Sequence, residues 1–100
     1  MEEIKIHFGE DGRGTVKIYG AGEELGEMEL AVAGADLTVY HTEVAPKAEG
    51  KGLAKQMLDT VVEHARTNNL KIIPLCQYVH AQFKRHKSEY ADVWGADETG

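Results

Sequence analysis

The first half of the chain alternates apolar and polar residues with a period of two. Apolar side chains recur at alternate positions in four segments, which are Ile4–Phe8, Val16–Ile18, Leu25–Ala33 and Leu37–Val44. A period of two places successive side chains on opposite faces of a β-strand. Short glycine-containing turns separate the segments, so the pattern predicts four strands that form an antiparallel meander.

Regular alternation also divides the fourth predicted strand into two faces. One face would carry Leu37, Val39, His41 and Glu43, and the other Thr38, Tyr40, Thr42 and Val44. This assignment places His41 late in the strand, on the same face as two aliphatic residues.

From residue 51 onward the apolar positions follow helical spacing. Lys51–Thr67 carries apolar residues at i, i+3, i+4 and i+7 with charged residues opposite, the pattern of an amphipathic helix. Asn68 and Asn69 suit the left-handed residue that ends many helices. The apolar run Leu70–Cys76 predicts a strand that pairs parallel to the fourth through a right-handed crossover. Pro74 has no amide proton, so we expect pairing on one side only around that point.

The remaining segments complete a predicted α/β domain. Tyr78–His86 fits a second, short helix, and His86–Val93 is expected to be irregular or a short terminal strand. Trp94–Gly100 has the composition of a disordered tail. Because 100 residues leave room for one modest core, we expect a single domain over residues 1–93.

Composition narrows the possible partners and locations. The net charge of −6 argues against general nucleic-acid binding, which needs a basic surface. One cysteine excludes an internal disulfide and a cysteine-rich zinc site. The sequence shows neither a signal peptide nor an apolar run long enough to span a membrane. We therefore expect a cytoplasmic protein, a monomer or weak dimer, with no membrane, nucleic-acid or metal partner.

Charge is unevenly distributed along the chain. Residues 1–50 hold eleven Asp/Glu and four Lys/Arg, whereas residues 51–100 hold six and seven. The basic excess thus begins at the junction between the predicted fourth strand and the helix. This distribution suits an anionic ligand on the second half, although ordinary solvated faces would produce it equally well.

Two glycines, Gly50 and Gly52, lie at that junction. Glycine adopts positive φ and allows close backbone approach, and a helix start presents unpaired N–H groups. Together these features favour a site for phosphate oxygens; the alternative is a tight turn without a ligand. The pattern is neither a Walker P-loop nor a dinucleotide fingerprint, because Lys55 stands where the third glycine would be.

Three strings carry a family resemblance: HTEV at 41–44, GKGLA at 50–54 and IIPLCxYV at 72–79. In this order they resemble the smallest members of the GNAT superfamily of acetyl-CoA-dependent N-acetyltransferases, over about residues 4 to 93. The resemblance implies a GNAT-like α/β fold in which the fourth and fifth strands splay around the pantetheine arm of coenzyme A. It also implies acetyl transfer from acetyl-CoA to a primary amine on a small-molecule or protein acceptor.

The resemblance further implies a coenzyme A site. The family pattern [QR]-x-x-G-x-[GA] aligns with residues 49–54, where Glu49 departs from the usual Arg or Gln and disfavours a nearby pyrophosphate. Lys47, Lys51 and Lys55 could offset that carboxylate. The cofactor-binding residues implied in this way are Glu43, Val44, Glu49, Gly50, Lys51, Gly52, Leu53, Ala54, Lys55, Cys76, Tyr78, Phe83, Arg85 and His86.

His41, Cys76 and Tyr78 are the implied catalytic residues. His41 would act as general base toward the substrate ammonium or the thiol, and Cys76 as a wall of the acetyl site or as a nucleophile. Tyr78 would protonate the departing thiolate, and a backbone N–H near Glu43 and Val44 would bind the oxyanion. For each side chain the alternative is a structural role, as a strand histidine, a small buried hydrophobe and a packed aromatic, respectively.

Direct transfer to the amine is favoured over an acetyl-Cys76 intermediate because it needs no cysteine. Two other classes of function remain open on the sequence. One is a non-catalytic acyl-CoA-binding or sensing module, and the other is a small α/β interaction domain whose glycine loop is only a turn.

Overall fold

The computed structural model describes residues 2–95, which form one five-stranded sheet with helices. The strands are β1 (Glu2–Phe8), β2 (Arg13–Gly20), β3 (Glu23–Ala33), β4 (Asp36–Val44) and β5 (Lys71–Pro74). The helices are α1 (Leu53–Thr67), α2 (Gln77–Arg85) and α3 (Lys87–Tyr90), with a 3-10 turn at Pro46–Ala48. Strands β1 to β4 pair antiparallel in chain order, and β5 pairs parallel with β4. The predicted meander, central helix and parallel fifth strand are confirmed.

Helix α1 packs its apolar stripe on one face of the sheet, which we call the inner face. The stripe is buried, as its spacing predicts, and contacts the buried residues of the strands. Its buried members are Leu53, Met57, Leu58, Val61, Val62 and Ala65. Asn69 follows the helix with φ of 56°, which confirms the predicted left-handed cap.

A β-bulge in β4 changes which side chains face the core. Val39 lies opposite Leu30, but His41 lies opposite Glu29, so Tyr40 is an extra residue between them. An inserted residue reverses the alternation of every side chain that follows it. The faces predicted for β4 are therefore correct up to Val39 and wrong beyond it.

After the bulge, Thr42 takes the inner face and lies opposite the fully buried Met28. His41 and Glu43 lie on the opposite face, which we call the outer face, and both are exposed. The sequence prediction that His41 shares a face with Leu37 is thus corrected by the structure.

Strands β4 and β5 diverge about halfway along β4. Their pairing ends at Val39 and Pro74, while β4 continues to Val44. Proline has no N–H with which to extend the ladder, and the last link is a bond from the Cys76 N–H to the Val39 carbonyl (2.9 Å). We call the space beside residues 40–44 of β4 the β4–β5 gap.

The C-terminal segment closes the core with aromatic side chains. Phe83 of α2 stacks on Tyr90 of α3 at 4.7 Å between ring centroids and meets Trp94 edge-on at 5.6 Å. Trp94 also bridges to Ile72 on the free side of β5. Residues 87–90 are therefore helical rather than strand-like, and Trp94 and Gly95 belong to the fold rather than to the predicted tail. Residues 96–100 of that predicted tail lie outside the described residues.

Candidate active site

The glycine loop between β4 and α1 has the backbone geometry of an anion-binding turn. Gly50 and Gly52 have φ of 85° and 74°, values that side-chain-bearing residues rarely adopt. A Cβ added at either glycine would meet nothing within 4 Å, so open space lies above the loop. Gly52 precedes α1 and no side chain caps the helix. The first amide groups of α1 and the positive end of its dipole are thus available to a ligand.

A cavity of about 290 Å³ adjoins this loop and extends to α2. It brings the predicted loop residues together with one residue of β4 and with Tyr78. Its lining consists of Val44, Ala48, Glu49, Gly50, Gly52, Leu53, Ala54, Lys55 and Tyr78. Lys51 lies between the two glycines and is exposed. Most of the predicted cofactor residues therefore lie around one opening.

The loop lysines differ in their partners. Lys55 Nζ donates to Asp59 Oδ1 at 2.7 Å, and this bond raises the pKa of Lys55. Lys47 forms an ion pair with Glu23. Both ammonium groups are thus shared with carboxylates before any anion binds, which reduces their capacity to offset Glu49.

Tyr78 is the second residue of α2 and lines the cavity. Its side chain is half-buried, and burial raises the pKa of the Tyr78 phenol, with the nearby Lys55 ammonium acting in the opposite direction. The phenol therefore stays protonated through the neutral range and can donate a proton.

Tyr90 lies behind this site and was not expected there from the sequence. Its side chain is 1% exposed, and within residues 2–95 its buried hydroxyl meets no hydrogen-bond acceptor or donor at bonding geometry. Burial raises the pKa of Tyr90, again opposed by Lys55. Lys55 thus interacts with Asp59 and with the phenols of Tyr78 and Tyr90. The helical spacing of Lys55 alone does not reveal this arrangement.

Cys76 contacts Thr42, which regular alternation along β4 would place on the outer face. Its thiol is buried, with 7% of the residue exposed, and Sγ lies 3.1 Å from Thr42 Oγ1. The two residues meet because the bulge turns Thr42 inward. No sequence signal marks that bulge, since a glycine is absent from residues 37–44 of β4.

His41 lies on the other side of the strand. Its side chain is 57% exposed, and Nε2 is 3.6 Å from Glu43 Oε1. The structure therefore brings Thr42, rather than His41, to the Cys76 thiol. Direct activation of Cys76 by His41 has no support in this arrangement.

Six predicted cofactor residues lie outside the cavity lining; besides Glu43, Lys51 and Cys76, these are Phe83, Arg85 and His86, on or next to α2. Phe83 is fully buried in the aromatic cluster, because its position on α2 faces the sheet. Arg85 and His86 are exposed at the end of the same helix. The geometry places Phe83 in the core and leaves the other two at the surface beyond the cavity lining.

The backbone of β4 offers donors to the gap. Ala45 donates its N–H to the Leu25 carbonyl of β3 at 2.8 Å. Because successive amides of a strand point in opposite directions, the N–H of Val44 points away from β3, into the β4–β5 gap, and that of Glu43 points toward β3. Of the two predicted oxyanion donors, Val44 has the suitable direction.

Two kinds of feature are absent from residues 2–95. No helix in this part of the chain is long and apolar enough to cross a membrane. No group of three or more His, Cys, Asp or Glu side chains in the described range could hold a metal ion.

Comparison with known proteins identifies the family. A family model described as GCN5-related N-acetyl-transferase matches residues 14–93. Because this match covers most of the chain, the protein belongs to the GCN5-related N-acetyltransferase (GNAT) family. It is accordingly an acetyltransferase, as the three sequence strings predict. No curated protein matches the chain.

Solved structures share the fold. A GCN5-like putative N-acetyltransferase from Staphylococcus aureus is 32% identical, with a TM-score of 0.67 over 92% of this chain and 88% of that one. A ribosomal-protein-alanine N-acetyltransferase from Brucella melitensis biovar Abortus has a TM-score of 0.63 at 17% identity, over 87% and 66% of the two chains. N-acetylglutamate synthase from Neisseria gonorrhoeae, complexed with coenzyme A and N-acetyl-glutamate, has a TM-score of 0.61 at 16% identity, over 72% and 18%.

Proposed function

We propose that this protein transfers the acetyl group of acetyl-CoA directly to a primary amine. The observation that carries the proposal is the open glycine loop at the start of α1, which adjoins a cavity leading to Tyr78 and the β4–β5 gap. Backbone amides at residues 50–54 would bind the pyrophosphate. Family membership supports acetyl-CoA as the donor.

The residues around the gap support each chemical step. His41, beside Glu43, would accept a proton from the substrate ammonium, and the freed nitrogen lone pair would attack the thioester carbonyl. The Val44 N–H would stabilise the oxyanion. As the carbon–sulfur bond breaks, the thiolate would take the Tyr78 proton, and the attacking nitrogen would release its second proton to solvent, from which Tyr78 is reprotonated. The products are then a neutral amide and free coenzyme A.

Cys76 fits a structural role in this scheme. Its thiol is buried against Thr42, and the candidate base lies on the other face of β4. An acetyl-cysteine intermediate would need the thiol to lose its proton, and none of the described contacts of Cys76 supplies a base. Cys76→Ser should therefore retain turnover, whereas His41→Ala should lose most of it.

The test combines binding and turnover. Calorimetry should detect acetyl-CoA binding, and release of the coenzyme A thiol should accelerate with at least one member of a broad amine panel. Binding without thiol release would indicate a sensing module, and absence of binding would refute the proposal. An acetyl adduct on Cys76 in the intact mass would contradict direct transfer.

Glu49→Arg should tighten acetyl-CoA binding by about three- to tenfold at low salt, since it replaces an exposed like charge at the pyrophosphate with an opposite one. Glu49 is exposed and lines the cavity, so the substitution should leave the fold intact. Glu10→Arg, in the exposed turn after β1, makes the same charge change far from the loop. Unchanged or weaker binding in Glu49→Arg would count against the placement of the pyrophosphate.

A further inference from the structure

Strand β1 forms one edge of the sheet, and among residues 2–95 it pairs with β2 alone. Gly9, just after the strand, donates its N–H to the Arg13 carbonyl at 2.8 Å, so this amide points toward β2. Successive amides of a strand point in opposite directions. The amides of the even-numbered residues, such as Ile4 and Ile6, therefore point away from the sheet. The edge of β1 thus presents a row of unpaired N–H and C=O groups.

This edge lacks the features that usually protect an exposed strand. Natural proteins block such edges with proline, a β-bulge or a charged side chain that points inward. The seven residues of β1 contain no proline, and their register against β2 is unbroken from Glu2 to Phe8. The lysine of the strand, Lys5, alternates with Ile4 and therefore lies on the outer face. The edge is thus straight, and its inner face is open to a further strand.

A groove accompanies the free edge on the inner face. A cavity of about 450 Å³ lies between β1 and α1, with Ile6, Thr60, Glu63 and His64 among its lining residues. Ile4 and Ile6 are only half-buried, although both pack against the core. An added strand would cover the exposed parts of these two side chains and extend over the groove, and burial of their apolar surface would stabilise the pairing.

The sequence of β1 itself has the pattern that such an added strand needs. In an antiparallel pair of two β1 strands centred on Lys5, all seven residues find a partner. Ile4 of one copy would then lie opposite Ile6 of the other on the inner face, and Glu3 opposite His7 on the outer face. A two-fold axis forms each of these contacts twice. Lys5 would face Lys5 of the second copy, but Glu3 lies 4.0 Å from the Lys5 ammonium and offsets this repulsion.

We propose that β1 pairs with β1 of a second copy of this chain, so that the two sheets continue into one another across a two-fold axis at Lys5. The glycine loop and the β4–β5 gap lie toward the other end of the strand order, so both sites stay open in the dimer. One pair of strands buries less surface than a permanent dimer needs. The dimer is therefore weak and depends on protein concentration.

Disulfide trapping tests the pairing and its register. Lys5→Cys should form a covalent dimer with oxidised glutathione as the oxidant. Its amide points toward β2, so the two copies of residue 5 would form a pair without direct hydrogen bonds, with Cα atoms about 4.5 Å apart, a distance that a disulfide can span. The original protein, whose Cys76 is buried, should stay uncrosslinked.

Glu3→Cys is the matched control on the same strand and face. The side chains of Glu3 and Lys5 are 70% and 65% exposed, so the two thiols would be equally accessible in the monomer. Glu3→Cys alone should cross-link at least about tenfold more slowly than Lys5→Cys, because the residue opposite it is His7. An equimolar mixture of Glu3→Cys and His7→Cys should form the disulfide-linked heterodimer.

Sedimentation equilibrium measures the affinity of the unlinked dimer. The original chain should show a reversible monomer–dimer equilibrium without acetyl-CoA. His7→Glu places two carboxylates opposite each other at both ends of the strand pair and should weaken the dimer about fivefold. Adding Glu3→Lys to that variant should restore most of the affinity, since each pair again has opposite charges. Both positions are exposed, so the core is unchanged.

Three results would overturn the proposal. The first is a chain that stays monomeric up to about 1 mM, and the second is equal cross-linking rates in Glu3→Cys and Lys5→Cys, which would indicate random collision. The third is a dimer that His7→Glu leaves unchanged, which would place the interface elsewhere. These measurements need neither acetyl-CoA nor an amine, so their failure is distinct from a failure of acetyl transfer.

Discussion

Gly52→Ala is expected to weaken acetyl-CoA binding at least about tenfold while the protein remains folded. The residue has φ of 74°, a conformation that costs an alanine about 1–2 kcal/mol. The added methyl group would meet no protein atom within 4 Å, so it would occupy space at the loop that the phosphates need. Losing one charge-assisted hydrogen bond from the loop amides would itself account for the tenfold change.

Gly22→Ala is the matched control for this variant. Gly22 also has positive φ (79°) and free space around its added Cβ, but it lies in the turn between β2 and β3. Calorimetry and urea unfolding should show similar losses of stability in both variants and a loss of affinity in Gly52→Ala alone. Equal affinity in the two variants would show that the phosphates do not bind at this loop.

Tyr78→Phe should lower kcat by about a hundredfold, the usual contribution of a general acid, with little change in acetyl-CoA affinity. The substitution keeps the ring that lines the cavity and removes only the proton donor. Because the pKa of Tyr78 is raised above its ordinary value, the acid is fully protonated at neutral pH. The original enzyme should therefore lose its general acid only at pH values above the ordinary range of tyrosine.

Tyr19→Phe provides the comparison for that measurement. Tyr19 lies on β2, beneath the ammonium of Lys5 at 5.6 Å from its ring centroid, and its hydroxyl has no proposed part in the reaction. Initial rates of thiol release across pH should be unaltered in Tyr19→Phe. A kcat for Tyr78→Phe within a few-fold of the original enzyme would remove Tyr78 from the mechanism.

Much of the fold follows from sequence periodicity. The helical stripe from Leu53 to Ala65 is buried as predicted, and the meander has the expected order, because both patterns reflect a single buried face. The glycine loop was also predictable, since Gly50 and Gly52 occupy backbone conformations that select glycine. In these places local sequence and tertiary packing require the same residues.

The features that sequence could not supply depend on contacts between distant segments. The bulge at Tyr40 is set by the register of β4 on β3, and without it Thr42 would not reach Cys76. Tyr90 comes close to Lys55 only because α3 packs against α2. Arg66 of α1 stabilises this position by donating hydrogen bonds to Asp92 and to the Glu89 carbonyl. Neither the bulge nor the proximity of Tyr90 to Lys55 is marked by a pattern in the local sequence.

The bulge at Tyr40 also determines which kind of genetic change the site tolerates. A substitution there alters one exposed side chain, but deletion of the codon would restore plain alternation through the rest of β4. His41 and Glu43 would then turn toward the hydrophobic core, and Thr42 would leave Cys76 for solvent. Length, more than residue identity, is the constraint on this strand, so in-frame deletions within residues 39–42 should be far more damaging than point substitutions at Tyr40.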